Sequence, residues 1–81
     1  MMTRSEIEQQ VIAFLRDTLQ LDEAQLVSSA NLKADLGLTS LDMQEIMMFC
    51  KNTFGFLPTR REIFTMNTLN DVYTLINQKN I

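Results

Sequence analysis

Residues 35–46 read D-L-G-L-T-S-L-D-M-Q-E-I. A glycine turn runs into a Thr-Ser pair, and an amphipathic pattern begins at once. Thr39 and Ser40 are both good helix caps, yet a helix start needs only one. If Thr39 caps, Asp42 three residues on completes a capping box and Ser40 becomes the first helical residue, its hydroxyl left over. The helix then runs to about Thr53, with Gly55 as its stop.

On a wheel of about 100° per residue this helix has two faces. Met43, Ile46, Met47, Cys50 and Phe54 form a core stripe. Leu41, Gln44, Glu45, Met48 and Asn52 lie opposite, with Asp42 and Phe49 on one flank and Lys51 on the other. Leu41 and Met48 therefore stand beside carboxylates on the outward face. Two apolar residues there mark a docking surface, and Met suits one because its side chain repacks easily. The plainer alternative is that a second packing contact covers them.

Working outward, the chain before this helix gives one more helix and a long connection. Ser5-x-x-Glu8 is a capping box, and Ile7, Val11, Phe14, Leu15 and Leu19 recur at helical spacing, which predicts a helix over 5–19. From Gln20 to Thr39 no helical stripe persists. Leu21, Leu26, Val27, Leu32, Leu36 and Leu38 are scattered through it, so it reads as a connection pinned to the core, with a helical turn near Asp22–Leu26. After Gly55, Pro58 blocks extension and Thr59-x-x-Glu62 opens a short helix. Thr68-x-x-Asp71 opens the last one, with Leu69, Val72, Tyr73 and Ile76 as its stripe and an end near Gln78. The expected fold is all-α: a four-helix bundle with three main helices, a short third helix and a long first loop.

The whole chain fits that picture. Its 81 residues make room for a single domain, 1–81. Two glycines and one proline are too few for an all-β design. A formal net charge of −3 disfavours nucleic acid and anionic membrane surfaces as partners. One cysteine, Cys50, allows no internal disulfide and fits a cytoplasmic protein. No stretch resembles a signal peptide or nears the ~20 apolar residues of a membrane span. Histidine is absent, which removes the commonest general base and metal ligand.

Three readings of Ser40 follow. It is an ordinary cap, it is a nucleophile, or it is a point of attachment. A serine hydroxyl is a weak nucleophile until a neighbouring base takes its proton, and here there is no histidine and no lysine in the helix's first turn. The surrounding G-L-T-S-L is not the G-x-S-x-G elbow either. Cys50 lacks a base for the same reason and falls on the core stripe. An attachment fits the local electrostatics, because the free N–H groups and partial positive charge of a helix start suit a phosphodiester. Cap and attachment both remain open on the residues alone.

The segment D-L-G-L-T-S-L-D, preceded by N-L-K-A and followed by an amphipathic helix, resembles the 4′-phosphopantetheine attachment segment of acyl carrier proteins. The likeness extends to the first helix, the leucine-pinned loop, the F-G-F-L-P-T turn, the short third helix and the T-L-N-D-V opening of the last. It implies that Ser40 receives phosphopantetheine from coenzyme A through a separate, magnesium-dependent phosphopantetheinyl transferase. It implies a carrier rather than an enzyme, a monomer that passes acyl groups, held as thioesters, among acyl-transferring and chain-elongating enzymes of fatty acid or specialised, polyketide-like biosynthesis. Docking by the second helix maps onto Leu41, Asp42, Glu45 and Met48. Met43, Ile46, Met47, Phe49 and Phe64 become the expected lining for a sheltered acyl chain. Two features depart from the family pattern. Thr39 stands where an aspartate is usual, which bears on the choice of transferase. Gln44, Lys51, Arg60 and Arg61 dilute the acidity of the second and third helices, which points to a specialised pathway. The alternatives are an amino-acyl carrier of peptidyl or D-alanyl type, and an unmodified helical interaction module.

Overall fold

Among the described residues, four threonines start four α-helices. In the computed structural model, which describes residues 2–80, Thr3, Thr39, Thr59 and Thr68 cap α1 (Arg4–Asp17), α2 (Ser40–Phe54), α3 (Arg60–Phe64) and α4 (Leu69–Lys79). Each is a full capping box, closed by Glu6, Asp42, Glu62 and Asp71 in turn. Each box satisfies two N–H groups that a helix start leaves unpaired. The expected all-α architecture with a short third helix and a long first loop is therefore present.

The first cap corrects the sequence reading. Thr3 with Glu6 opens α1, not Ser5 with Glu8, and the helix ends at Asp17 rather than residue 19. The two overlapping boxes differ in their apolar flanks. A start at Thr3 puts Met2 before the cap and Ile7 at the fourth position after it, the arrangement of a hydrophobic staple. Met2 packs against the core and Ile7 is fully buried. A start at Ser5 would put Arg4 and Gln9 in those places.

Helix α4 is the spine of the core, burying Leu69, Val72, Tyr73, Leu75 and Ile76. It packs on α1, which buries Ile7, Val11 and Leu15, and α2 adds Met43, Ile46 and Cys50. Each fully buried side chain of this kind stabilises the fold by about 1.5–3 kcal/mol before conformational entropy is subtracted. Met47 and Phe54, expected in the core stripe, sit at its margin, half-buried. Polar ties close the ends of the α1–α4 pair. Asn80 and Met2 exchange two hydrogen bonds, and Arg4 donates to Asn70 while lying over the Tyr73 ring.

Between α1 and α2 runs a connection held at many points. A 3₁₀ turn, Glu23–Gln25, is capped by Asp22, as the sequence placed it. Leu26, Ala30, Leu32, Leu36 and Leu38 are buried, whereas Val27, expected among the anchors, is 54% exposed. The backbone is moored to the start of α4: Leu32 N–H donates to Asn67, Leu69 N–H to Ala30 and Asn70 N–H to Ser28. These bonds explain how a connection this long holds one shape.

Candidate functional site

The site begins with the turn that delivers residue 40. Asn31 Oδ1 accepts from the Lys33 and Ala34 amides, and Asp35 Oδ2 accepts from the Asn31 amide at 2.7 Å. Gly37 then takes φ 67°, a left-handed conformation that a side chain would strain. A Cβ there would meet nothing within 4 Å, so the backbone angle, not crowding, calls for glycine. Leu38 N–H returns to the Leu32 carbonyl at 2.9 Å, and Leu36 and Leu38 are buried on either side of Gly37. The approach to α2 is therefore fixed from both flanks.

Thr39 and Asp42 lock the helix start. Thr39 Oγ1 accepts from the Asp42 amide at 3.2 Å, and Asp42 Oδ2 accepts from the Thr39 amide at 2.9 Å. The Thr39 carbonyl takes the first intrahelical bond, from Met43 N–H. Ser40 is the first helical residue, and it is exposed. Among the described residues no hydrogen bond engages its hydroxyl. The amides of Ser40 and Leu41 precede the first intrahelical bond and face the same side of the helix start, where they favour an anion. A phosphodiester on the Ser40 oxygen fits this arrangement: the oxygen is free, its approach is open and unpaired donors adjoin it.

Two of the three readings of Ser40 thus separate by geometry. Capping is done by Thr39. Nucleophilic catalysis has no base, since the acidic neighbour Asp42 is held in the capping box. Cys50 is fully buried, and burial pushes its thiol up to about 12, far from a reactive thiolate.

The outward face of α2 lies beside this helix start. Leu41 is 67% exposed and Met48 48%, and Glu45 is exposed between them. Asp42 is half-buried, with one carboxylate oxygen bound to Thr39 N–H. Leu57, 56% exposed, extends the apolar face across to the α2–α3 loop, a residue the sequence reading had not singled out. Its neighbour Pro58 is buried, so the local alternation F-L-P was the available signal. Gln44, Met47, Met48, Leu57 and Arg60 surround one shallow hollow of about 320 Å³.

Of the five residues expected to line an acyl shelter, Ile46 and Phe49 border an apolar seam between α1, α2 and α4, together with Val11, Phe14, Leu15, Leu32 and Val72. The seam is too narrow for a water molecule. Phe14 and Phe49 stack over it with ring centroids 4.3 Å apart, and Phe54 meets Phe49 edge-on at 5.4 Å. Met43 is packed into the core, Met47 faces the α2–α3 hollow and Phe64 is half-buried on α3.

These features define a class: a small all-α domain that displays one hydroxyl at a rigid helix start, beside an apolar face, and holds no catalytic base near it. Comparison with known proteins agrees. The family model described as "Phosphopantetheine attachment site" matches residues 9–76. An acyl carrier protein of Thermosynechococcus vestitus is 35% identical over 96% of this chain and 96% of its own length. One from Thermotoga maritima is 30% identical over 98% of each, and one from Coprothermobacter proteolyticus 29% identical over 93% of this chain and 92% of its own. The chain belongs to the acyl carrier protein family of phosphopantetheine-bearing carriers. It is thus a bearer of covalent 4′-phosphopantetheine and a carrier rather than an enzyme, working with a phosphopantetheinyl transferase and acyl-handling enzymes. No helix among the described residues is long and apolar enough to cross a membrane.

Proposed function

We propose that Ser40 is the attachment residue, and that the chain, as one carrier domain over 1–81, delivers acyl groups in a specialised rather than a general fatty-acid pathway. One observation carries the first part: the Ser40 hydroxyl is exposed and unengaged because Thr39 has taken the capping role. The Ser40 oxygen attacks the phosphorus of coenzyme A nearer the pantetheine. A phosphodiester forms, adenosine 3′,5′-bisphosphate leaves, and the serine proton passes to a base of the transferase, since this chain offers none. Once attached, the arm supplies a thiol that holds an acyl group as a thioester. The chain's own part is to hold the tether: the capping box fixes its root, and the moored loop keeps that root from swinging. Tethering raises the effective concentration of cargo at each partner enzyme.

Leu41, Glu45 and Met48 are the docking residues we assign, with Asp42 contributing through its second oxygen. Support for a specialised pathway comes from charge. Between Ser40 and Phe64, Asp42, Glu45 and Glu62 are balanced by Lys51, Arg60 and Arg61, so the net charge of −3 lies outside this stretch. A single buried, unpaired cysteine suits a reducing compartment, and we place the protein, as a monomer, in the cytoplasm.

The test is mass. Unmodified protein incubated with coenzyme A, magnesium and a promiscuous transferase should gain one phosphopantetheine, located on the peptide holding Ser40, and Ser40→Ala should gain none. A gain that persists in Ser40→Ala, or no gain with several transferases, refutes the assignment. Glu45→Lys should slow loading more at low salt than at high salt, because screening weakens a surface charge effect.

A further inference from the structure

Ten carboxylates lie along this chain, and among the described residues only Glu45 makes neither a hydrogen bond nor an ion pair. Glu6, Asp42, Glu62 and Asp71 sit in capping boxes. Asp22 and Asp35 bind loop amides, and Glu8, Asp17 and Glu23 are paired with arginines. The cations are distributed the other way. Arg4, Arg16 and Lys79 have carboxylate partners, whereas Lys51, Arg60 and Arg61 have none among the described residues. Lys33, in the first loop, is likewise without a carboxylate partner among the described residues; the other three belong to the α2–α3 region.

Two of them flank the apolar hollow. Gln44, Met47, Met48 and Lys51 recur at three- and four-residue spacing, so they form one ridge of α2. Gln44, Met47 and Met48 line the hollow, and Arg60 closes its other wall. The Arg60 guanidinium lies 5.0 Å from the Phe64 ring centroid, which holds the charge in place. The fold itself gains little from these groups. Arg60 and Arg61 occupy the first positions of α3, the end of a helix that disfavours cations. A charge that no carboxylate of the described residues neutralises, beside an exposed apolar hollow, is available to a partner.

We propose that this hollow receives an apolar side chain of an acyl-handling partner enzyme whose flanking carboxylates meet Lys51 and Arg60. The docking face is therefore two-signed. Glu45, beside Ser40, addresses a basic group, and the far end, about 16 Å along α2 from Ser40 at the helical rise, addresses acidic ones. A partner with a uniformly basic face fits the first end and is repelled at the second. The arrangement selects against carriers' general partners by charge as well as selecting for its own. It rests on the carrier reading only in naming the partner as an acyl-handling enzyme.

The experiment uses the unmodified chain, labelled with nitrogen-15, and two synthetic helical peptides. Both carry one Leu/Phe stripe; Glu flanks it in one and Lys in its twin. The Glu peptide should shift the amides of Met47, Met48, Leu57 and Arg60 and bind roughly fivefold tighter than its twin at low salt. Lys51→Gln/Arg60→Gln should bring the two affinities within about twofold of each other, and Glu45→Lys should widen the gap. Thermal melts check that the variants fold. Equal binding of the twins, tighter binding of the Lys peptide, or shifts centred away from the hollow overturns the proposal. A chain that loads at Ser40 yet does not distinguish the peptides refutes the two-signed face alone. A chain that prefers the Glu peptide but gains no mass refutes Ser40 alone.

Discussion

Thr39 and Ser40 offer the same functional group, one residue apart, and only the threonine hydroxyl is engaged in the cap. That division is measurable. Thr39→Ala removes the acceptor of the Asp42 amide, a bond of 3.2 Å, while the reciprocal bond from residue 39 N–H to Asp42 Oδ2 survives. Loss of a threonine cap costs about 0.5–2 kcal/mol, and the surviving half of the box places the expected loss near 1 kcal/mol. For a domain of this size that is a fall in Tm of about 4–8 °C. Ser40→Ala removes a hydroxyl with no partner and installs a better helix former, so its stability should stay within about 0.5 kcal/mol of wild type. Loading should show the reverse order. Ser40→Ala abolishes the mass gain, and Thr39→Ala keeps it. Thr39→Asp restores an acceptor at the cap and should recover the stability that Thr39→Ala loses. Urea titration of the three unmodified variants, with loading by mass in parallel, reads both axes. If Ser40→Ala loses about 1 kcal/mol or more and Thr39→Ala loses nothing, the serine is the cap and the assignment of the attachment site fails with it.

Three further outcomes follow from the packing and the caps. Ile46 is 2% exposed, so Ile46→Ala should cost about 2–5 kcal/mol in urea unfolding, and a loss below ~1 kcal/mol would show that α2 is turned differently. The Asp71 carboxyl is held below its ordinary 3.8 by the amides of Thr68 and Asn67. A lowered folded pKa stabilises the native state above the unfolded value, and that stability is lost as pH falls through the folded one. Asp71→Asn should therefore lower the urea midpoint at neutral pH and flatten its decline in acid; an unchanged acid slope would contradict the capping bonds. With Cys50 buried and its thiol raised to about 12, the native phosphopantetheinylated protein should show one fast thiol toward an aromatic disulfide reagent, that of the arm, and a second only on unfolding. Two fast thiols in the native protein would mean that the core around Cys50 opens.

How much of this was legible in the residues depends on how local the signal was. Three of the four capping boxes, at Thr39, Thr59 and Thr68, were readable because a side chain and an amide three residues apart decide them. The fourth was displaced because two boxes overlap at the N-terminus, and the choice between them was made by Met2 and Ile7 against the core, a tertiary effect. The exposure of Leu41 and Met48 followed from periodicity alone. Val27 broke the expectation because an apolar residue in a loop carries no phase: the ties from residues 28–32 to α4 orient the segment, and they turn Val27 outward. The seam under Phe14 and Phe49 was out of reach for a similar reason. Its walls come from three helices and a loop, and only Ile46 and Phe49 lay on the helix whose wheel had been drawn.

Charge shows the same limit most sharply. Composition gives ten carboxylates against seven cations, a pattern that describes an acidic carrier. A partner, however, meets side chains that are still free to move toward it. Capping boxes and ion pairs leave the committed carboxylates their charge but hold them in place, so an incoming lysine must compete with a backbone amide or an arginine already seated. Lys51, Arg60 and Arg61 have no carboxylate partner among the described residues that an incoming acidic group would have to displace. A surface can thus be acidic in total and cationic in what it offers. This follows from the threonine caps: the same Thr-x-x-Asp/Glu pattern that fixes Ser40 at a rigid helix start also binds Asp42 and Glu62, the two carboxylates that would otherwise neutralise the α2–α3 face.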